Sequence, residues 1–305
     1  MELNIWQPEH GETLLGRAPV AFATGAAPRV KGMRWFRDPG RNDIRCELPG
    51  WPEGPIHSAR STGSVVARKS FRGAARAAGV AVMAVLSSAG GNVSAPSGGD
   101  GSDTPEDPAN EVEDFPVMWA AQDTIARTLP WQLDPSRFDH THHRTHMIVT
   151  DRRLIVVGLP YDKKNLEAID DEVLWQCPRT EISSVELKDF KDGNDFQVTF
   201  VDGSWCRLTC IWRRALTRYL VQPPDLLSLE SLSEKQRAAV LEFTAGVNAP
   251  DSMAPIITRN ACGHYNVDLL LPGQFTSAFG SSEENLVMDS EGQEVDVDDY
   301  HPEDF

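Results

Sequence analysis

The sequence predicts a mainly β protein of the α+β class: a small antiparallel barrel closed by a C-terminal helix, with extra helices and a disordered acidic linker and tail. Residues 196–200 alternate large apolar and polar side chains, which is typical of a half-buried strand. Residues 211–221 carry apolar side chains at helical spacing. Charge is segregated, since residues 131–220 hold 13 basic and 14 acidic side chains whereas residues 221–305 hold 3 and 16.

Composition narrows the class of protein. The chain has 305 residues, a formal net charge of −16, 40% hydrophobic residues, 23 glycines and 21 prolines. These values exclude a transmembrane bundle, a collagen-like fibre and a disulfide scaffold. The five cysteines show no framework spacing, and the N-terminus has no signal-peptide pattern, so we expect a reducing, cytoplasmic location. Arginine outnumbers lysine 22 to 7, which hints at a GC-rich bacterial genome.

The first third of the chain is predicted to be irregular apart from one helix. Residues 1–67 form a basic N-terminal region in which only residues 13–24 have the apolar content of a strand, and Pro19 confines that strand to an edge. Residues 68–90 are predicted to form a basic-flanked apolar helix, which either packs on the folded domain or contacts a membrane surface. Residues 91–113 are an acidic Gly/Pro/Ser linker.

The packed domain is expected at residues 114–222. Thr150-Asp151 and Asp202-Gly203 are hairpin signals that separate runs rich in β-branched and aromatic residues. Downstream, Ser233 and Gln236 form a capping box, which predicts an accessory helix packed on the barrel within residues 223–250. Residues 251–305 are predicted to be an acidic C-terminal tail.

Three strings in this domain carry a family resemblance: MIVTDRRLIV at 147–156, PRTEISSVE at 178–186 and FQVTFVDGSW at 196–205. They resemble bacterial pleckstrin-homology-like (PH-like) domains of the GRAM type, in which a hairpin, a strand, a hairpin ending in Asp-Gly and a closing helix follow one another. The resemblance implies a PH-like barrel with residues 124–132 as its first strand. It also implies a platform for protein or lipid interaction.

A histidine-rich run is the strongest candidate for metal chemistry. In an extended segment His140, His142 and His146 share one face, and His143 lies between them. A zinc site formed by these four imidazoles, with Cys206 or Cys210 as a distant ligand, is the alternative interpretation of this run. The favoured interpretation is a solvated loop that leads into a strand.

Other chemistry finds little support in the sequence. There is no Gly-x-Ser-x-Gly elbow and no phosphate-binding glycine loop. Cys206 and Cys210 lie in an apolar run, which favours inert buried thiols. The net negative charge opposes nucleic-acid binding by the whole chain.

Together these patterns predict a non-enzymatic adaptor protein without a cofactor, which binds a protein partner or an anionic membrane surface. In the second case it would be peripheral at the inner face of the membrane. The rival hypothesis is a metal-binding protein or metal-dependent enzyme that uses the histidine run. The expected partner or membrane contacts are basic side chains beside the apolar helix and at the first hairpin: Arg68, Lys69, Arg72, Arg76, Arg152 and Arg153.

Overall fold

The computed structural model describes eleven stretches of the chain: residues 5–24, 34–52, 115–136, 144–159, 170–188, 190, 194–221, 225–247, 254–270, 283–301 and 304. The predicted helix at 68–90 and the predicted linker at 91–113 lie outside these residues. Within them the chain is mainly β, with three sheets and two α-helices, which confirms the predicted class. The strands of these stretches form no closed barrel. None of their helices is long and apolar enough to cross a bilayer.

The first sheet has four antiparallel strands in the order β1-β5-β6-β7. The Thr150-Asp151 signal marks the β5–β6 turn as predicted. Strand β1 lies at the edge, where Pro19 costs no ladder hydrogen bond. The strands are β1 (Leu14–Pro19), β5 (Arg144–Thr150), β6 (Arg153–Leu159) and β7 (Glu172–Pro178).

The second sheet has the order β3-β4-β10-β9-β8, and β2 pairs with β10 beside this path. The β9–β10 turn contains Gly203 at φ +82°, a conformation that glycine adopts without strain and that the Asp-Gly signal predicted. The strands are β2 (Ala21–Phe22), β3 (Trp35–Arg37), β4 (Pro116–Trp119), β8 (Ile182–Lys188), β9 (Asp195–Phe200) and β10 (Trp205–Thr209).

One α-helix, α1 (Arg213–Val221), follows β10 where helical spacing predicted it. It contacts β1 and β5 of the first sheet and β8 of the second. Leu216, Tyr219 and Leu220 are buried and join the same core as the inward side chains of both sheets. The helix therefore packs where the two sheets meet.

The predicted first strand of the domain, residues 124–132, is wrong. This segment forms two 3₁₀ turns, Ile125–Thr128 and Trp131–Leu133, on either side of Pro130. The carboxylate of Asp202 accepts a hydrogen bond from Ile125 N (2.6 Å), and the hydroxyl of Ser204 accepts one from Ala126 N (3.1 Å). The side chains of the β9–β10 hairpin thus take the backbone donors that a strand would need.

The strand that pairs with β5 is instead β1, which lies within the apolar run at 13–24 that predicted an edge strand. The description of the rest of residues 1–67 as irregular is wrong at Trp35–Arg37, which forms β3. β1, β2 and β3 all belong to the two large sheets. Three aromatic rings of this region pack together, with centroids 5.3 Å apart for Phe22 and Phe36 and 4.7 Å apart for Phe36 and Trp51. Burial of the apolar area of these rings stabilises the packing of the N-terminal region into the core.

The predicted acidic tail is a third correction, because residues 251–305 contain a three-stranded antiparallel sheet in the order β11-β12-β13. Net charge does not reveal that apolar side chains of these strands face inward. Six buried side chains form its core: Leu232, Val240, Ile257, Val267, Leu286 and Met288. The strands are β11 (Ile256–Arg259), β12 (Tyr265–Leu270) and β13 (Glu283–Met288).

The accessory helix α2 (Glu234–Gly246) begins at the predicted capping box, in which Ser233 and Gln236 exchange hydrogen bonds. It was expected to pack on the barrel. It packs instead on β13, and its Val240 belongs to the core of the C-terminal sheet. That sheet exposes an apolar face of its own, which the helix covers.

Replacement of Leu15 by alanine tests the place of β1 in the core. Leu15 is fully buried between the sheets, so L15A should lower the free energy of unfolding by about 2–5 kcal/mol. Urea unfolding followed by circular dichroism measures the change. The control is V201A at an exposed turn position, which should change it by less than about 0.5 kcal/mol. Equal effects of the two substitutions would contradict the placement of β1.

Candidate functional site

The histidine run is only partly within the described residues. His140, His142 and His143 lie outside them, and their proposed zinc ligation stays a prediction. His146 lies in β5, is 2% exposed and faces the edge strand β1. Its Nδ1 accepts a hydrogen bond from Arg17 Nε at 3.1 Å. His146 is therefore part of the folded sheet and does not belong to a solvated loop.

Arg17 connects this histidine to a buried carboxylate. Its two terminal nitrogens donate to the two oxygens of Asp171, each at 2.7 Å, in a bidentate pair. Asp171 Oδ2 also accepts from Trp6 N at 2.7 Å. The network lies on the outer face of the first sheet, where Arg17 is directly opposite Ile148. Trp6 and Leu14 pack against the apolar cluster on that face, Ile148, Ile155 and Val157.

The surroundings of His146 disfavour a positive charge on its ring. Burial, together with the nearby guanidinium groups of Arg17 and Arg144, holds the pKa of His146 well below its usual value. Because Arg17 can only donate, Nδ1 must be the acceptor and Nε2 carries the proton. Nε2 has no hydrogen-bond partner among the described residues. The same two cations also make this nitrogen a poor place for a metal ion.

The two arginines of the β5–β6 hairpin contact residues of their own chain. Arg153 donates to both oxygens of Glu12, at 2.9 and 2.8 Å, and pairs with Glu9 at 2.7 Å. The hydrogen bonds that Arg153 donates to Glu12 raise the pKa of Arg153. Arg152 donates to the Gly11 carbonyl. These contacts hold residues 9–12 against the hairpin, and the expected role of Arg152 and Arg153 in partner or membrane contact stays a prediction. The other expected contact residues, Arg68, Lys69, Arg72 and Arg76, lie outside the described residues.

The thiols between the two large sheets are buried. Burial raises the pKa of Cys177 to about 11, with a smaller contribution from the charge of Glu181. Burial also raises the pKa of Cys206, which lies within β10. Cys210 is buried just after that strand. Cys177 and Cys206 remain protonated at neutral pH, so they are unsuited to nucleophilic chemistry.

A second cluster of ligand atoms lies at the β11–β12 turn, and sequence reasoning missed it. Cys262, His264 and Asp304 each place a ligand atom within 4.8 Å of the other two. Asp304 accepts from His264 Nδ1 at 2.8 Å and from Cys262 Sγ at 3.5 Å. It also accepts from Asn260 Nδ2 at 2.6 Å and from His301 N at 2.8 Å. Burial alone would raise the pKa of Asp304, but these hydrogen bonds hold it below its usual value.

The third notable feature is strand β8, which ends the second sheet among the described strands. Four of its seven residues are exposed, among them Glu186 and the apolar Leu187. The carbonyl of Lys188 at its end accepts from Arg213 Nη1 of α1 at 2.7 Å. An edge strand presents backbone donors and acceptors to whatever lies beside it.

No family model, curated protein or solved structure matches this chain.

Removal of one charge of the buried pair should be strongly destabilising. D171N leaves the Arg17 guanidinium buried opposite a neutral amide, and we expect the free energy of unfolding to fall by about 3–5 kcal/mol. The double variant R17M/D171L, which removes both charges, should recover most of this loss. E186Q, at an exposed ion pair, is the control and should change stability by less than about 0.5 kcal/mol. A loss of stability in D171N as small as that in E186Q would contradict the buried pairing.

His146 should make folding sensitive to acid. The unfolded chain protonates His146 as the pH falls through about 6.5, but the folded chain, whose pKa is lower, does not. Below that pH the unfolded state binds more protons, so stability falls by about 1.4 kcal/mol per pH unit for this one group. Urea unfolding at pH 7.5 and 5.5 should show a smaller loss for H146Q than for the wild type. An identical loss in both would contradict the buried neutral histidine.

Proposed function

We propose that this protein is a non-enzymatic interaction protein with a PH-like central domain that binds a protein partner. The order of elements supports the PH-like description. The β5–β6 hairpin is followed by strands β7 and β8, the β9–β10 hairpin with Asp202-Gly203 at its turn, and helix α1. This order matches the one that the family resemblance implies, with two exceptions: β7 comes between the first hairpin and β8, and β1 comes from the N-terminal region.

The observation that carries the proposal is the exposed edge of β8. An extended peptide can add to such an edge through main-chain hydrogen bonds, while side chains along the strand select the sequence. The exposed Leu187 offers an apolar contact, and the exposed Ser183 and Ser184 leave space beside the backbone. Arg213 fixes the end of the strand by holding the Lys188 carbonyl, so the edge is presented by rigid elements.

Charge favours a protein over a membrane as the partner of this edge. The charged side chains of β8 are Glu186 and Lys188, which pair at 2.7 Å, and Arg179 and Glu181 precede the strand. Attraction to an anionic bilayer needs a cluster of basic residues. A surface that is close to neutral and partly apolar fits a peptide segment better than lipid headgroups.

The buried thiols disfavour cysteine-based catalysis, which is consistent with a binding role. Cys177 and Cys206 are protonated and lie inside the core, where they stabilise packing but are not accessible to a substrate. The central domain is therefore best described as a scaffold whose outer edge is the interaction surface.

A capture experiment with an edge variant tests the proposal. Tagged wild type, S184K/L187K and the control V201K would be incubated with extract of the native host. Lysines on the edge should block strand addition, so retention of the bound protein should fall at least about tenfold in the double variant. V201K adds charge at an exposed turn outside β8 and should retain it. Circular dichroism would show that all three proteins are folded.

Two results would contradict the proposal. One is full retention of the captured protein by S184K/L187K, which would separate binding from β8. The other is salt-sensitive flotation with anionic liposomes that is lost when residues 60–90 are deleted, combined with no protein captured. That outcome would favour the hypothesis that the protein binds an anionic membrane surface.

A further inference from the structure

We propose that Cys262, His264 and Asp304 bind a zinc-class divalent cation through one thiolate, one imidazole and one carboxylate. This inference concerns the C-terminal sheet and is independent of partner binding at β8. Zinc takes these three ligand types at bonds of about 2.0–2.3 Å, and its tetrahedral geometry places two ligand atoms about 3.3–3.8 Å apart. The three side chains already have their ligand atoms within 4.8 Å of one another.

The hydrogen bonds of the cluster show where the cation would lie. His264 Nδ1 lies 2.8 Å from one oxygen of Asp304, and Cys262 Sγ lies 3.5 Å from the other. In both contacts a proton lies between the imidazole or thiol and the carboxylate. A cation at the centre of the three ligand atoms would replace these protons, with the thiol proton released to solvent and the imidazole proton carried on Nε2.

The arrangement is better suited to a metal than to a nucleophilic relay. In a relay the imidazole contacts the thiol and the carboxylate orients the imidazole from its far side. Here the thiol and the imidazole both donate to the same carboxylate. The three groups therefore converge on one point, as ligands of a single ion do.

The turn between β11 and β12 holds two of the three ligands in place. Asn260 N donates to the His264 carbonyl at 2.8 Å, and Gly263 N donates to the Asn260 carbonyl at 3.0 Å. Gly263 has φ +98°, a conformation that glycine adopts readily and other residues rarely do. This tight turn brings Cys262 and His264, which are two residues apart, to the same carboxylate.

The third ligand is oriented by groups that do not themselves contact the cation. Asn260 Nδ2 and His301 N donate to Asp304 at 2.6 and 2.8 Å and fix the plane of its carboxylate, which is fully buried. Hydrogen-bonded supports of this kind are usual around protein metal ligands. His264 and Cys262 remain partly exposed. A water molecule can therefore complete a four-coordinate site from the solvent side.

Cobalt(II) and zinc(II) titrations of the purified full chain test the proposal. Cobalt should give a thiolate charge-transfer absorption in the near ultraviolet at about one equivalent, and zinc should displace it. C262S should lose this absorption and should bind zinc at least about a hundredfold more weakly. The matched control is C46S, which removes an exposed thiol outside the cluster and should leave both readouts unchanged.

Two further variants separate the cluster from other features. The triple variant H140N/H142N/H143N removes the histidine run, which is the other candidate metal site of the chain. It should not change the cobalt–thiolate absorption. N260A should weaken zinc binding by about 10–100-fold by releasing the Asp304 carboxylate, while the cobalt–thiolate absorption is kept. Three results would overturn the proposal: cobalt absorption that is retained in C262S, cobalt absorption that is lost in the triple histidine variant, or no stoichiometric zinc in the wild type. The three side chains would then form only a hydrogen-bonded cluster.

Discussion

The two large sheets depend on one short run of the chain that forms hydrogen bonds to both of them. β1 pairs with β5, and Val20 then donates to the Thr145 carbonyl at 3.0 Å before β2 pairs with β10. Ala23 continues the ladder by donating to the Arg207 carbonyl at 3.0 Å. Buried backbone groups must be paired, so this run fixes how the sheets meet. The space that α1 fills follows from that geometry.

The buried Arg17–Asp171 pair adds specificity to the same run. A buried ion pair is expensive to desolvate and is weak evidence for stability in itself. Its value here concerns register, because a one-residue slip of β1 would turn Arg17 toward the core and Leu15 outward. Two further contacts reinforce this register: Trp6 N donates to Asp171, and Glu12 accepts from Arg153. The N-terminal segment is thereby held on the outer face of the first sheet.

The features that were predictable from the sequence are those whose partners are close along the chain. Thr150-Asp151, Asp202-Gly203 and the capping box at Ser233 act over a few residues, and the structure has all three. The β1–β5 pairing was missed because its strands are about 130 residues apart. Acidic side chains concealed the C-terminal sheet, whose inward residues a count of net charge does not detect.

In the candidate sites, too, the contacts between residues close along the chain were predictable and the distant contacts were not. Cys262 and His264 form a recognisable Cys-x-His pair at a glycine turn, but Asp304 reaches them from 40 residues away. A strand at β8 was implied by the family resemblance, whereas its place at the end of a sheet depends on which strands pair elsewhere. His146 was noted as a possible ligand, and only the approach of β1 reveals that Arg17 occupies its Nδ1.

The pairing of β2 with β10 has a consequence for how the chain folds during synthesis. Phe22 lies opposite Leu208, so the N-terminal strand leaves the ribosome 186 residues before its partner. At about 5–20 residues per second this interval lasts about 10–40 s. Throughout it an apolar strand with an open edge is present without its final neighbours, which is the situation in which nascent chains bind chaperones or aggregate. We therefore expect the yield of native protein to depend on the speed of translation over this interval.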